Sequence, residues 1–362
     1  MAPTRILDSH IHLWAPSAAN PSSHAWMTPG SHLCAPHTIS AYKSAICLRQ
    51  PRPPVSGAVY IETDRRLDEA AEDVLDRAAE PLKEIASLRD VVEGDGKALL
   101  WGIVPWAPLD AGIDAFRRYL LEAERIAGPE AWRRVGGFRY LLQGIRDEAG
   151  FRALVESEDW VGCLRECMVR GWCFDLGVDM RGVGVWQVER AVEMVERVNG
   201  DVGEEEGLVV VLNHLCKPDM QQLPTTPEQL DAFHRWAECM RRFSRSRTTF
   251  MKLSGVFSEI ADQDPAAPWS VAAIIERMKP WLDVLFQHFA LDRIMFGSDW
   301  PVCNVRGPGD ELAWDLWRDV VEGILETYGF DERERDGVWY GNAVEAYRLS
   351  PPAADLNDLH VP

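Results

Sequence analysis

No apolar run in the 362-residue chain approaches the ~20 residues that a membrane-spanning helix needs, so the expectation is a soluble protein without a membrane partner. Positive charge is also short. The 38 Lys and Arg stand against 57 Asp and Glu, a formal net charge of −19. A phosphate backbone is repelled by such a chain, which argues against nucleic acid as a partner. The acidity is spread through helical segments such as "RRLDEAAEDVLDRAAEPLKE" and reads as solvated surface. The first thirty residues have neither the basic start nor the apolar segment of a secretory signal, and the expected location is the cytoplasm. Eight cysteines contain no C-x-x-C pair. The densest group is Cys163, Cys167 and Cys173, in and just after the helix-like "WVGCLRECMVRGW", and it reads as buried thiols rather than a zinc site or disulfides. No G-x-G-x-x-G follows the first strand-like segment, which weakens a dinucleotide-binding reading. Internal repeats, low-complexity tracts and domain linkers are missing too.

Eight short β-branched or aromatic runs are present: "RILDSHIHLW", "SGAVYIETD", "ALLWGIVPW", "RVGGFRYLLQ", "WCFDLGV", "LVVVLNHL", "TTFMKLSGV" and "DRIMFGSDW". Amphipathic helical segments separate most of them, for example "DAGIDAFRRYLLEAERI" and "VWQVERAVEMVERVN". Alternation of strand and helix implies parallel pairing through right-handed crossovers. Eight such units predict an α/β chain folded as a (β/α)8 TIM barrel in a single domain over residues 1–350, with 351–362 as a tail. An open doubly wound sheet is the alternative. Residues 15–54 carry seven prolines directly after the first strand. That length predicts a functional loop overhanging the mouth.

Chemistry on this fold belongs at the C-terminal strand ends. Those positions hold His10 and His12 (strand one), Glu62 (two), Arg139 (four), Asp175 (five), His214 (six), Lys252 and Ser254 (seven) and Asp299 (eight). In a strand with strict alternation Asp8, His10 and His12 share one face. Two imidazoles on one face can hold one metal ion or one substrate. Histidines, an arginine and an aspartate at one mouth suit activation of water.

The ordered segments "DSHIHLW", "GFR", "LNHLCKP", "MKLSG", "RIMFGSDWP" and "YGNAVEAY" resemble the amidohydrolase superfamily, in its branch of sugar-lactone and dicarboxylate lactonases. The resemblance implies that Asp299 is the base that takes a proton from attacking water and returns it to the leaving oxygen. It implies that His10 and His12 ligate a metal, joined by His214, which stands in a variant of D-H-x-G-K-P with Asn213 and Cys216 in place of the acid and the glycine. His214 then has a catalytic role as well. Arg139 occupies the place of the bridging lysine of two-metal members, so at most one ion is expected. Three histidines and Asp299 make a mononuclear zinc-type site, with metal-independent polarisation by Arg139 and Lys252 as the other possibility. Arg139 and Lys252 are expected to bind substrate, with Trp14 and Trp300 stacking on it; the alternative for Lys252 is a barrel-floor lysine paired with a buried acid, Glu62 or Asp175. Trp26 is placed at the mouth, and Glu62 and Asp175 are supporting acids. The implied partner is a small-molecule lactone. A mononuclear decarboxylase of aromatic acids on the same barrel is one alternative, and a non-catalytic carboxylate-binding barrel another.

Overall fold

The computed structural model describes residues 3–47, 54–264 and 266–351. All eight expected strands form, seven inside their predicted segments and the second starting one residue earlier, at Val55. They are β1 (Ile6–Ile11), β2 (Val55–Ile61), β3 (Leu100–Val104), β4 (Gly137–Arg139), β5 (Cys173–Leu176), β6 (Val210–Leu212), β7 (Thr249–Leu253) and β8 (Ile294–Phe296). Every pairing is parallel, in two sheets of order β1-β2-β3 and β4-β5-β6-β7-β8. Single parallel bridges, Ile103–Val135 and Trp106–Arg139, lie between β3 and β4. Another, Ile11–Trp300, lies between β1 and the chain after β8. The strands are buried on both faces, which is why they read as apolar runs without clean alternation.

Helices return the chain between strands, and their ends follow local chemistry. Ser157 caps Glu158–Arg170, and Gly171 closes that helix at φ 71, a left-handed turn that spares glycine a Cβ clash. Thr226 and Gln229 form a reciprocal capping box at the start of Pro227–Phe243. Apolar faces of these helices pack against the outer sides of the strands. A second buried cluster joins Leu7, Val59, Trp101, Val211, Phe250 and Met295 to the C-terminal helix through Ala343, Ala346 and Tyr347. All eight thiols are free. Among the described residues no helix is long and apolar enough to cross a membrane.

The segment after β1 is not a bare loop. It carries the helix Ile39–Ala45, capped by Thr38, and the backbone of Trp14 pairs with that of His37. Residues 48–53 of the proline-rich stretch, and 352–362 of the expected tail, lie outside the described residues.

One face assignment fails. A register shift between Asp8 and Ile11 breaks the alternation of β1. Asp8 therefore leaves the side of His10 and His12. Its Oδ2 accepts from the Tyr42 hydroxyl at 2.8 Å and from Trp314 Nε1 at 3.1 Å, and its Oδ1 from the Ser298 amide at 2.7 Å. Asp8 fastens β1 to the turn before Asp299.

Candidate active site

Four strand-end side chains meet where sequence placed them. His10 Nε2 lies 3.1 Å from His12 Nε2. Asp299 Oδ1 is 3.4 Å from each of those nitrogens and 3.8 Å from His214 Nε2. The Asp299 amide donates to the His10 carbonyl at 2.9 Å, which ties the end of β8 to β1. All four side chains are buried. Burial pushes His214 down to about 3 and His10 well below the usual imidazole range, so both are neutral at physiological pH. Burial alone raises a carboxylate, but His214, His12 and Lys217 outweigh it and hold Asp299 below its ordinary value.

The backbone that presents these groups is unusual. Asp299 has φ 62, and His214, Leu215, Cys216 and Lys217 are all left-handed, with φ between 50 and 63. Non-glycine residues adopt this region singly and at a cost. Four in succession make a turn that swings His214 back toward β1 and brings Lys217 to the mouth. No residue-type signal marks such a turn; the family glycine is even replaced here by Cys216.

Lys252 corrects an expectation. It is fully buried and absent from the cavity wall. Its ammonium donates to Asp175 Oδ2 at 2.8 Å and to His10 Nδ1 at 3.1 Å. Asp175 also accepts from Tyr347 Oη at 2.6 Å and from Asn213 Nδ2 at 2.6 Å. Burial would raise Asp175, yet Lys252 and Arg139 keep it below the ordinary range. Lys252 is thus engaged by Asp175 and His10, away from the cavity wall. Trp300 is corrected as well: its ring packs on His37 and Tyr42 and is absent from the cavity wall.

Arg139 does reach the cavity. Its Nε lies 3.3 Å from Glu62 Oε1, but its Nε and Nη1, like Glu62 Oε1, are buried without a hydrogen bond. Burial pushes Glu62 up to about 8, against the pull of Arg139. The cavity has a volume of about 210 Å³ and is lined by His12, His214 and Asp299, by Arg139 and Glu62, and by Trp14, Trp26 and Leu33 from the segment after β1. Drug-sized ligands occupy ≈ 300–1,000 Å³, so this space suits a monosaccharide-sized molecule. Trp26 is fixed by its Nε1 bond to the Thr63 carbonyl at 2.9 Å, and Trp14 by its Nε1 bond to Ala35 O at 2.6 Å. Asp64, Gln143 and Lys217 also line the wall and were missed. Asp64 stands two residues beyond Glu62 and Lys217 three beyond His214, so proximity in sequence to a chosen site residue was the available signal.

Three of the four expected ligands share one group of mutually close donor atoms, which suits one metal ion. Donor atoms of His10, His214 and Asp299 lie within 4.8 Å of one another. Tetrahedral zinc with bonds near 2.0–2.1 Å has ligand–ligand edges of about 3.3 Å, close to the His10, His12 and Asp299 separations. His12 Nδ1 lies 2.9 Å from the Ile61 carbonyl, which orients its ring so that Nε2 faces Asp299.

Comparison with known proteins adds family context. Residues 163–349 match the family model described as amidohydrolase. The chain is 29% identical over 366 residues to the L-rhamnono-gamma-lactonase of Scheffersomyces stipitis, covering 96% of this chain and 100% of that one. It is 28% identical over 236 residues to the L-fucono-1,5-lactonase of Burkholderia multivorans, covering 64% and 68%. A crystal structure of an amidohydrolase from Burkholderia multivorans with bound zinc superposes with a TM-score of 0.66 at 23% identity, over 95% of this chain and 99% of that one. This last likeness shows a shared fold.

Proposed function

The chain belongs to the amidohydrolase family, and from that premise we propose that it is a carboxylic-ester hydrolase that opens a sugar-acid γ-lactone. The observation that carries the reading is the meeting of Asp299 with His10, His12 and His214 at one end of a small cavity whose wall also holds Arg139. Two lactonases among its relatives support the substrate class. A decarboxylase role draws on fold-level likeness to 2,6-dihydroxybenzoate decarboxylase, 13% identical with a TM-score of 0.57.

Asp299 is the general base. It is ionised, buried and aimed at the point where a water would sit among the three imidazoles, so it accepts the water's proton as oxygen attacks the ester carbonyl. His214 orients that water. Arg139 has buried N–H groups without partners, and they are free to donate to the oxyanion that develops on the carbonyl oxygen. Trp14 and Trp26 offer flat faces to the sugar ring. One divalent ion of zinc type, held by His10, His12, His214 and Asp299, would supply Lewis-acid polarisation of the reacting oxygens. The Arg139 guanidinium stands where a second ion would need a bridging anion, so the reading allows one ion only.

We also read the two sheets as one closed (β/α)8 barrel, supported by the bridges at both junctions. Residues 1–350 are then one domain, and the free thiols suit a cytoplasmic setting. The test is proton release from a panel of sugar γ- and δ-lactones, with and without chelator, beside elemental analysis. Turnover of at least one sugar lactone with about one metal equivalent per chain is the expected result. Carbon dioxide from aromatic acids without lactone opening would replace the reading, and two equivalents would overturn the single-ion site.

A further inference from the structure

Glu62 follows β2 and is 1 % exposed, yet it forms part of the wall shared by Asp299 and Arg139. Its two oxygens are treated differently. Oε2 accepts the Asp64 amide. Oε1 has no hydrogen-bond partner, although Arg139 Nε is 3.3 Å away, because neither that nitrogen nor Nη1 is aligned to donate. A buried polar atom without a partner is rare and asks for an explanation. A substrate atom in the cavity would supply the partner.

We propose that Glu62 is the general acid of this site, donating a proton from its carboxyl group to the ring oxygen as the acyl–oxygen bond breaks. The inference rests on the hydrolase reading above and divides its proton traffic between two residues. Water oxygen bonds to the carbonyl carbon, and its proton passes to Asp299. The carbonyl π pair moves onto the carbonyl oxygen, beside Arg139. As that pair returns, the bond to the ring oxygen breaks with its electrons on the ring oxygen, which takes the Glu62 proton. The product is the open hydroxy acid. Asp299 then gives up its proton and Glu62 regains one through water, so the sum is lactone plus water.

Surroundings favour this division. Glu62 is faced by Asp64 from its own loop and by Glu84 from the helix Ala79–Glu93, with Arg139 of β4 as the opposing charge. Burial and the two acids push its carboxyl up to about 8. Two carboxyl groups line one cavity, Asp299 against the imidazoles and Glu62 beside Arg139, and such different surroundings are the arrangement that separates acid from base. A neutral Glu62 also leaves the Arg139 charge uncancelled for the oxyanion.

The experiment compares Glu62→Gln and Asp299→Asn on a sugar γ-lactone that the enzyme turns over and on its sulfur-ring analogue. A thiolate leaves without prior protonation, since thiols ionise near 8.5. Glu62→Gln is expected to lose roughly 10²-fold or more in kcat on the oxygen lactone, the scale of a lost general acid, and under about tenfold on the thiolactone. Asp299→Asn loses activity on both. The falling alkaline limb of the wild-type profile on the oxygen lactone should vanish in Glu62→Gln. Equal losses on both rings, with circular dichroism unchanged, would make Glu62 a positioning residue and overturn the proposal. Full activity on the oxygen lactone would overturn it too. A wild type that opens no lactone at all would instead remove the hydrolase reading, and the acid role with it.

Discussion

Two sets of buried polar side chains sit on or just after different parallel strands, and the fold treats them in opposite ways. Asp175 on β5 and Lys252 on β7 form a saturated set: the carboxylate accepts from Lys252, Tyr347 and Asn213, and the ammonium also reaches His10. At the strand ends, Glu62 and Arg139 are just as buried but leave oxygen and nitrogen atoms unpaired. The backbone follows the same division. Six of the left-handed non-glycine residues fall at Asp64, at His214 to Lys217 and at Asp299, with Arg306 and Arg348 elsewhere, while β5 and β7 themselves have none. Saturation marks groups that hold the sheet together. Unmet hydrogen-bonding capacity and strain, brought together on one cavity, mark groups that await a substrate.

The sharpest way to break this contrast is Asp299→Asn. It keeps the shape of the strand end but cannot accept a proton, so kcat should fall by roughly 10²–10⁴-fold while the unfolding midpoint stays near wild type. Near-full turnover in the purified variant would remove Asp299 as base. Lys252→Met tests the other set. It leaves the Asp175 charge buried without its ion-pair partner, an expected loss of about 3–5 kcal/mol in denaturant unfolding. A variant as stable as wild type but inactive would place Lys252 with the reacting groups after all.

A pH scan separates the two sets further. The Glu62 pKa in the folded state is raised from 4.5 to about 8. The folded chain then binds more protons than the unfolded one between those values, and stability falls as pH rises across that window. Asp175 runs the other way: its folded pKa is lowered below 3.8, so its contribution is present above that value and is lost as pH falls further. Glu62→Gln should flatten the alkaline decline and leave the acid one untouched. An unchanged alkaline slope would show Glu62 ionised in the fold. The smallest effect is expected from Trp26→Leu, which removes one stacking face held by Thr63. KM should rise about two- to tenfold, the scale of one aromatic contact, with kcat nearly constant. A large loss of kcat instead would assign Trp26 to the chemistry.

The sequence by itself determined the eight strands and their order, because alternating apolar runs and amphipathic helices leave few other packings. It also determined that His10, His12, His214 and Asp299 share one end, since each stands at the close of a strand and parallel strands close on the same side. Tertiary structure alone decided where those side chains point and what they meet. The shift in β1 turned Asp8 away from His10, and period-two reasoning cannot foresee a bulge. Lys252 and Arg139 are both cations near strand ends, yet Lys252 donates to Asp175 across β6 while Arg139 lies beside Glu62 without an aligned hydrogen bond to it. Whether a charge is satisfied depends on neighbours more than a hundred residues away in some cases, as with Tyr347 on Asp175. The left-handed turn from His214 to Lys217 is likewise not readable from "HLCK", where only the histidine has a leaning to that region.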